Sequence, residues 1–199
     1  MSVIMHSHLL TTIVNMKQIA LTLTALILLA SHTGAASEPA ADQMLPRVVS
    51  INWDTSERVG QTSFRKFGIH IYDASFWSLL DKTDGTSKNG SALSITYAKN
   101  IRAKRLLSST HKEWKRLGFG QQYPIDAWLG ELEKIWPDVK PGDSITAVVT
   151  EHGDCIFYSN NRELGRIPDT QFGPAFLDIW LHVDARYSQH RKELLGEVI

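Results

Sequence analysis

The chain has 199 residues, and its 21 basic and 21 acidic side chains give a formal net charge of zero at pH 7. Proteins that bind nucleic acid normally carry a basic excess for the phosphate backbone, so this balance argues against such a partner. The length favours one domain, and no internal repeat is visible.

The N-terminal region has the pattern of a secretion signal. Lys17 precedes an uncharged apolar run over 19–30, and the small residues Gly34–Ala36 follow it. The run is short for a bilayer span, so a cleaved signal peptide is favoured over a transmembrane anchor. We therefore predict an upstream extension plus signal peptide over 1–36, a true start at Met16, and a periplasmic or secreted protein.

A polar, Pro-containing lead-in over 37–47 is predicted to precede a folded domain over 48–199. Cys155 is the only cysteine, which excludes an intrachain disulfide, and its apolar neighbours favour a small core residue over a nucleophile. The histidines are scattered without the spacing of metal ligands, so neither a metal nor a cofactor is predicted.

The first half of the domain has the pattern of a sheet. Val48–Ile51 is a candidate first strand, and 55–60 is predicted as a turn or loop. Phe64–Trp77 is predicted as one central strand, because both of its faces carry apolar or aromatic residues. A surface loop is expected over 81–91, and Leu93–Ala98 alternates as the next strand.

Three helical segments are predicted after this strand. Arg102–Leu107 indicates the beginning of a helix, and Thr110 with Glu113 has the spacing of a capping box that opens another, with an end near Leu117. The apolar stripe of Pro124–Trp136 predicts the clearest helix, between a proline suited to the first turn and a proline that stops it. The basic residues of the first two segments are interpreted as a solvated face rather than a lipid-binding one.

The remaining chain, from 142 onward, predicts a meander covered by a helix. His152–Asp154 and Asn160–Asn161 are hairpin-turn signals between three strands rich in β-formers. A helix is expected from Thr170, and Ser188 is placed as the cap of a short last helix. A sheet followed by packed helices is an α+β arrangement.

The helix that covers the meander is predicted to bury one apolar face. Its members share spacings of three and four: Phe172, Phe176, Ile179, Trp180 and Val183. Truncation of a buried Trp180 to Ala is expected to cost roughly 3–5 kcal/mol. Asp178 is predicted to point away from this face, so Asp178→Asn is expected to be almost neutral for folding unless it faces a cleft.

Tyr72 and Tyr97 are the candidate site residues that the strands themselves suggest. Each tyrosine presents an apolar ring and one hydrogen-bonding group, which suits an apolar pocket with a fixed polar point. Ordinary core packing of the two rings is the alternative that the pattern leaves open. His70 has the same strand parity as Tyr72 and is included with them.

Five local motifs in consistent order resemble the bacterial chalcone isomerase-like proteins, a secreted branch of the chalcone isomerase superfamily. The motifs are Phe67–Trp77, Ile95–Ile101, Trp136–Val139 with Gly142–Asp143, Asn161–Gly165 and Phe172–Leu181. The resemblance implies an open antiparallel sheet with helices packed on one face and a ligand cleft between them. Plant members close a ring on a flavonoid precursor, and other members bind fatty acids or act as helper proteins.

The resemblance also implies site residues. Tyr97 matches the family's active-site tyrosine, and the catalytic arginine corresponds to Arg58 or Arg65. The expected threonine is replaced near Ile71 or Tyr72, and the expected hydroxyl residue of the last long helix falls near Asp178 or Ile179.

These departures favour a non-catalytic binder of a small apolar or fatty-acid-like ligand. An active isomerase (an intramolecular lyase) and a scaffold protein with a filled cleft remain the alternatives. The candidate ligand-binding residues are Tyr97, Tyr72, His70, Arg65 and Arg58.

Overall fold

The computed structural model describes residues 56–79 and 88–197. The predicted leader over 1–36, the lead-in over 37–47 and the candidate strand Val48–Ile51 lie outside the described residues. Within the described part of the chain, no helix combines the length and the apolar character that crossing a bilayer requires.

The described residues form one six-stranded antiparallel sheet, with neighbouring strands following chain order. The strands are β1 (Glu57–Lys66), β2 (Ile69–Ser78), β3 (Ser91–Tyr97), β4 (Ser144–Val149), β5 (Cys155–Ser159) and β6 (Arg162–Ile167). The helices are α1 (Ala103–Arg116), α2 (Ile125–Ile135), α3 (Phe172–Leu181) and α4 (Ser188–Leu194), with a short 3-10 turn at Phe119–Gln121. This arrangement confirms the predicted α+β class with an open antiparallel sheet and helices on one face.

The core lies between the helices and one face of the sheet. Alternate strand residues point to this inner face and pack against the helices; the fully buried ones include Phe76, Leu93, Val149, Cys155 and Phe157. The opposite, outer face carries a smaller apolar cluster: Trp77, Leu79, Ala92, Val148 and Tyr158. The burial of Cys155 confirms its prediction as a core residue.

The structure of the meander agrees with its prediction, because its turn residues adopt the positive φ angles that the turns require. Asn160 and Asn161 have φ angles of 48° and 68°, the left-handed pair of a tight primed hairpin turn. The β4–β5 hairpin turns at His152–Asp154, where Gly153 has φ 93°. Both signals consist of residues that tolerate positive φ, which is why a sequence pattern finds them.

The prediction of one strand over Phe64–Trp77 is wrong, because a hairpin divides this segment. Phe67 and Gly68, with φ angles of 50° and 77°, turn the chain between β1 and β2. Apolar residues continue on both sides of the turn, so the hydrophobic pattern of the sequence does not indicate it. The predicted loop over 55–60 is wrong for the same region, since β1 begins at Glu57 as a polar edge strand without apolar alternation.

The predicted helix start at Thr110 is also wrong. Thr110 is buried in the middle of α1, which runs unbroken from Ala103. The Asp138 carboxylate accepts a hydrogen bond of 2.7 Å from the Ala103 backbone N–H, so a distant residue satisfies the first turn. The end of α1 before Leu117 and the span of α2 agree with their predictions.

Three expectations for α3 need correction. Val183 is 75% exposed and lies beyond the end of the helix at Leu181, so it does not belong to the buried face. Trp180 packs against the core but is only partly buried. Asp178 is 8% exposed and forms an ion pair with Lys88, which explains how a charged side chain is accommodated on the covered side.

Helix α4 packs closely on β1 at Gly60. A Cβ atom built on Gly60 would lie 2.1 Å from the carbonyl oxygen of Glu193, so only glycine permits this approach. The buried Thr62 hydroxyl, two residues along, contacts the Glu193 carboxylate and lies 2.5 Å from His190 Nδ1. These contacts attach the last helix to the edge strand.

Candidate functional site

The two predicted tyrosines come together on the inner face of the sheet. β2 and β3 pair so that Tyr72 lies directly opposite Tyr97. Their ring centroids are 6.5 Å apart, with planes at 70° in an edge-to-face arrangement. Because both rings share the parity of the core residues on their strands, they face the helix layer rather than the outer side.

Helix α3 supplies a polar contact above this pair. The Trp180 indole N–H donates to the Tyr72 hydroxyl at 3.3 Å, a long hydrogen bond. One turn earlier on the same helix, the Phe176 ring lies 5.3 Å from the Trp180 ring. Trp180 therefore links the tyrosines to the deeper aromatic core.

The edge strand and the last loop complete an aromatic group. Phe64 stacks on Tyr72 at 5.0 Å, and its ring also lies 4.9 Å from Tyr187. Tyr187 is nearly half exposed, so the group runs from the core to the surface. We call Phe64, Tyr72, Tyr97, Trp180 and Tyr187 the tyrosine cluster.

Burial keeps the two inner tyrosines protonated. Desolvation raises the pKa of Tyr72 to about 12, partly opposed by the hydrogen bond from Trp180. Desolvation, with a smaller contribution from Tyr72, also raises the pKa of Tyr97. In the described part of the chain the Tyr97 hydroxyl has no hydrogen-bond partner, although the residue is only 7% exposed.

The three other predicted site residues lie away from the two hydroxyls. Arg58 lies over the Trp77 ring at 5.9 Å, on the outer face. Arg65 contacts the carbonyl of Gly68 at the hairpin turn, at 3.5 Å. His70 contacts Asp73, which has outer-face parity, at 3.0 Å.

Irregular pairing explains this separation. β1 and β2 shift register between Arg58 and Gly60, and again between Phe64 and Arg65. Each shift adds one residue to one strand, which reverses the side to which the following side chains point. His70 therefore does not share a face with Tyr72, although it has the same parity in the sequence. A bulge of this kind leaves no sequence signal.

An open depression of about 850 Å³ lies beside Tyr97, at the end of the sheet. Tyr97 exchanges backbone hydrogen bonds with the 142–143 turn that borders the depression. Its lining combines apolar and cationic side chains: Ile101, Val139, Leu164, Arg102, Lys140 and Arg162. Sequence reasoning missed this feature, because three separate loops build it.

Two carboxylates at the depression, Asp138 and Asp143, are already engaged within the protein, and the first of them accepts the Ala103 backbone N–H. Asp143 accepts hydrogen bonds from the Lys140 backbone N–H at 3.0 Å and from the Asn160 side chain at 3.1 Å. The first of these bonds is the main cause that lowers the pKa of Asp143. The described residues contain no group of three or more His, Cys, Asp or Glu side chains arranged to hold a metal ion.

Comparison with known proteins places this geometry in a family. The profile of the chalcone isomerase-like family matches residues 61–196. The chain belongs to the chalcone isomerase-like family. The match begins in β1 and extends just past α4, so it includes both the tyrosine cluster and the depression.

Two similar proteins complete the comparison. An uncharacterised protein of Haemophilus influenzae is 25% identical over 140 residues, which cover 70% of this chain and 67% of that protein. The crystal structure of an Arabidopsis thaliana fatty-acid binding protein aligns with a TM-score of 0.54, at 9% sequence identity. The alignment covers 72% of this chain and 88% of the plant chain, and it establishes a shared fold.

Proposed function

We propose that this chalcone isomerase-like protein is an exported, non-catalytic binder of a small apolar ligand of the fatty-acid type. The observation that carries the proposal is the hydroxyl of Tyr97, a buried residue at the boundary of sheet and helices whose hydroxyl has no partner among the described residues. A ligand carboxylate or carbonyl would satisfy such a donor, while the surrounding rings would bury an apolar chain.

The electrostatics favour binding over catalysis. An isomerase of this family type needs cations or donors to stabilise a phenolate nucleophile and a developing enolate. Within residues 56–79 and 88–197, no Lys or Arg side chain hydrogen-bonds to the hydroxyl of Tyr72 or Tyr97. Both tyrosines stay neutral at physiological pH, so they can donate a hydrogen bond without supplying charge.

Similarity supports the ligand class at the level of the fold. The plant protein that shares this fold is a fatty-acid binding protein. The depression next to the Tyr97 backbone has a mixed lining, in which Arg102, Lys140 and Arg162 lie among apolar side chains, and it would accept an amphipathic anion. These features are compatible with one ligand that has an apolar chain and a carboxylate head.

The ligand test uses protein expressed from Met16 and purified from the periplasm. Native mass spectrometry of this material is expected to show bound lipid, and the delipidated protein is expected to bind a fluorescent fatty acid. Tyr97→Phe should weaken that binding about tenfold or more, since hydrogen bonds to charged groups contribute about 1.5–3 kcal/mol. Tyr158→Phe is the matched control, because this buried tyrosine belongs to the outer-face cluster.

Three results would contradict the proposal of a non-catalytic fatty-acid binder. A protein that carries no lipid and ignores the fluorescent fatty acid would favour the scaffold alternative. Equal weakening by Tyr97→Phe and Tyr158→Phe would exclude the tyrosine cluster as the site. Decay of chalcone absorbance with wild type but not with Tyr97→Phe would instead establish an isomerase.

Export is tested separately. The proposed cleavage after Ala36 produces a mature protein that begins at Ser37. N-terminal sequencing of the periplasmic fraction should return that residue. An intact terminus at Met1 or Met16 in the membrane fraction would make the leader an anchor.

A further inference from the structure

The β1–β2 hairpin turn places a bulky aromatic residue where the backbone disfavours one. Phe67 has φ 50° and is 94% exposed, followed by Gly68 at φ 77°. The β5–β6 hairpin makes its turn with Asn160 and Asn161, the residue type that suits positive φ. Phe67 therefore costs stability at its position and gains no burial in return, which suggests a role outside the fold.

A second apolar side chain lies beside it. Ile69, the first residue of β2, is 54% exposed. Phe67 and Ile69 are two of the four large hydrophobic residues that are exposed among those described, and they lie within three positions at one hairpin tip. A protruding tip with an aromatic and a branched aliphatic side chain has the shape of a small apolar wedge.

Basic side chains lie at the same end of the sheet as the wedge, some beside it and others several strands away. We call this the tip end: β1, β3 and β5 finish there, and β2, β4 and β6 begin there. A backbone hydrogen bond from Ala98 to Ile71 holds the end of β3 against the start of β2. The exposed basic residues at this end are Arg65, Lys66, Lys99, Arg102, Lys140 and Arg162.

The acidic residues at the tip end offset part of this charge, because a hydrogen-bonded carboxylate remains negative; they are Asp73, Asp138, Asp143 and Glu163. Asp138 accepts from the first backbone N–H of α1, and Asp143 accepts from Lys140 and Asn160. Asp73 accepts from the Ser63 hydroxyl and contacts His70. The six cations still outnumber these four carboxylates, so the tip end keeps a positive excess in a chain whose overall charge is zero.

We propose that the tip end docks on the surface of an anionic phospholipid bilayer, with Phe67 and Ile69 inserted at the boundary between headgroups and acyl chains. An aromatic ring is well suited to that depth, and each nearby Lys or Arg adds attraction to anionic headgroups. Neither the wedge nor the charge alone would hold the protein; reversible surface binding normally combines both.

The position of the wedge suggests that docking would serve ligand exchange with the bilayer. Phe64 and Tyr72 lie on the two strands that this hairpin joins, and Tyr97 lies opposite Tyr72. A docked hairpin therefore brings the tyrosine cluster close to the bilayer surface, where an apolar ligand would enter or leave. Docking itself depends only on the surface residues, so it holds whether or not the protein binds a fatty acid.

The test is co-sedimentation of the mature protein with vesicles of phosphatidylglycerol and phosphatidylcholine, compared with vesicles of phosphatidylcholine alone. The wild type should partition at least tenfold more strongly to the anionic vesicles, and most of this binding should be lost in 0.5 M salt. Phe67→Asn should reduce the partitioning at least tenfold. Asn tolerates positive φ, so this variant should melt no lower than wild type.

Val183→Asn is the matched control, because it removes another highly exposed apolar side chain from a different loop. It should leave vesicle binding unchanged. The double variant Lys66→Gln with Lys99→Gln should weaken binding to anionic vesicles without changing the melting temperature. Equal binding to both vesicle types, or a Phe67→Asn variant that binds like wild type, would overturn the proposal. Loss of vesicle binding altogether, with Phe67-dependent capture of a protein partner, would overturn it as well.

Discussion

Two groups of aromatic side chains lie between the sheet and the helices, and they differ in how their polar atoms are satisfied. The central aromatic cluster consists of Trp114, Trp128, Phe157, Phe172 and Phe176, whose rings contact one another at 5.3–6.0 Å. Two indole N–H groups here have strong acceptors: Trp114 donates to the Ala175 carbonyl and Trp128 to the Asp169 carboxylate, each at 2.9 Å. The indole N–H of Trp136, which packs on Phe157 and Phe176, is buried without a partner among the described residues.

The tyrosine cluster has similar ring contacts but open polar positions. Its one internal polar bond, from Trp180 to Tyr72, is long, and Tyr97 has no described partner. A donor that is satisfied within the protein contributes to stability, whereas the Tyr97 hydroxyl, which has no described partner, can still form a hydrogen bond to a ligand. The difference predicts that substitutions in the first group affect folding, and that substitutions in the second mainly affect binding.

The largest effect is expected from Trp114→Ala. Trp114 is 0% exposed, and its removal leaves a cavity and takes away the indole hydrogen bond to the Ala175 carbonyl. The free energy of unfolding should fall by roughly 3–5 kcal/mol, a large part of the 5–15 kcal/mol typical of a domain. Urea denaturation followed by circular dichroism measures the change. A loss below about 1 kcal/mol would remove the distinction between the two clusters.

Trp180→Ala should cost less, roughly 2 kcal/mol, because part of the indole already contacts solvent and only the buried area contributes. This value is below the one predicted from full burial. The same denaturation experiment ranks Trp180→Ala against Trp114→Ala. Equal losses would mean that Trp180 belongs energetically to the central aromatic cluster.

Asp178→Asn is expected to cost roughly 1 kcal/mol, since the amide keeps its size and can still accept a hydrogen bond, but leaves the Lys88 ammonium without a charged partner. The near-neutral outcome expected from the sequence assumed an outward-pointing side chain. Lys88→Gln and the double variant complete a thermodynamic cycle. A coupling energy near zero would show that the ion pair does not contribute to stability.

The sequence predicted what local patterns control. The primed turn at Asn160–Asn161, the helix Pro124–Trp136 and the covering helix α3 all follow from residue types that act on their own backbone. The turn at Phe67–Gly68 was missed because a phenylalanine replaces the usual turn residue. The start of α1 was misplaced because the Asp138 carboxylate that caps it lies 35 positions away in the chain.

In the candidate site, too, some residues could be predicted from local patterns and others depend on the tertiary structure. Alternation singled out Tyr72 and Tyr97 as candidates, and the regular pairing of β2 with β3 brings them together on one face. The positions of Arg58, Arg65 and His70 depend on bulges, which reverse the facing of side chains and follow from pairing between strands. Loops from three parts of the chain build the depression, so only the tertiary structure defines it.

The smallest effect on the free energy of unfolding at neutral pH is expected from Tyr97→Phe. In alkali this variant should become more stable relative to wild type. At pH 7 the variant should lie within about 0.5 kcal/mol of wild type, because the hydroxyl has no described partner to lose. Burial raises the pKa of Tyr97 above its ordinary value of 10.0, so above pH 10 the unfolded chain releases this proton while the folded chain retains it. Wild type then binds more protons when folded, and its stability falls as the pH rises.

Tyr97→Phe lacks this proton, so it should lose less stability than wild type between pH 10 and pH 11. Urea denaturation at pH 7, 10 and 11 measures the difference, and absorbance at 295 nm follows tyrosine ionisation. Tyr72→Phe should behave similarly in alkali, as the pKa of Tyr72 is raised to about 12. At pH 7 Tyr72→Phe also loses the bond from Trp180, so it should be the less stable of the two variants. If Tyr97→Phe instead unfolds far more easily at pH 7, its hydroxyl serves the fold, and Tyr97 belongs with the satisfied donors of the central aromatic cluster.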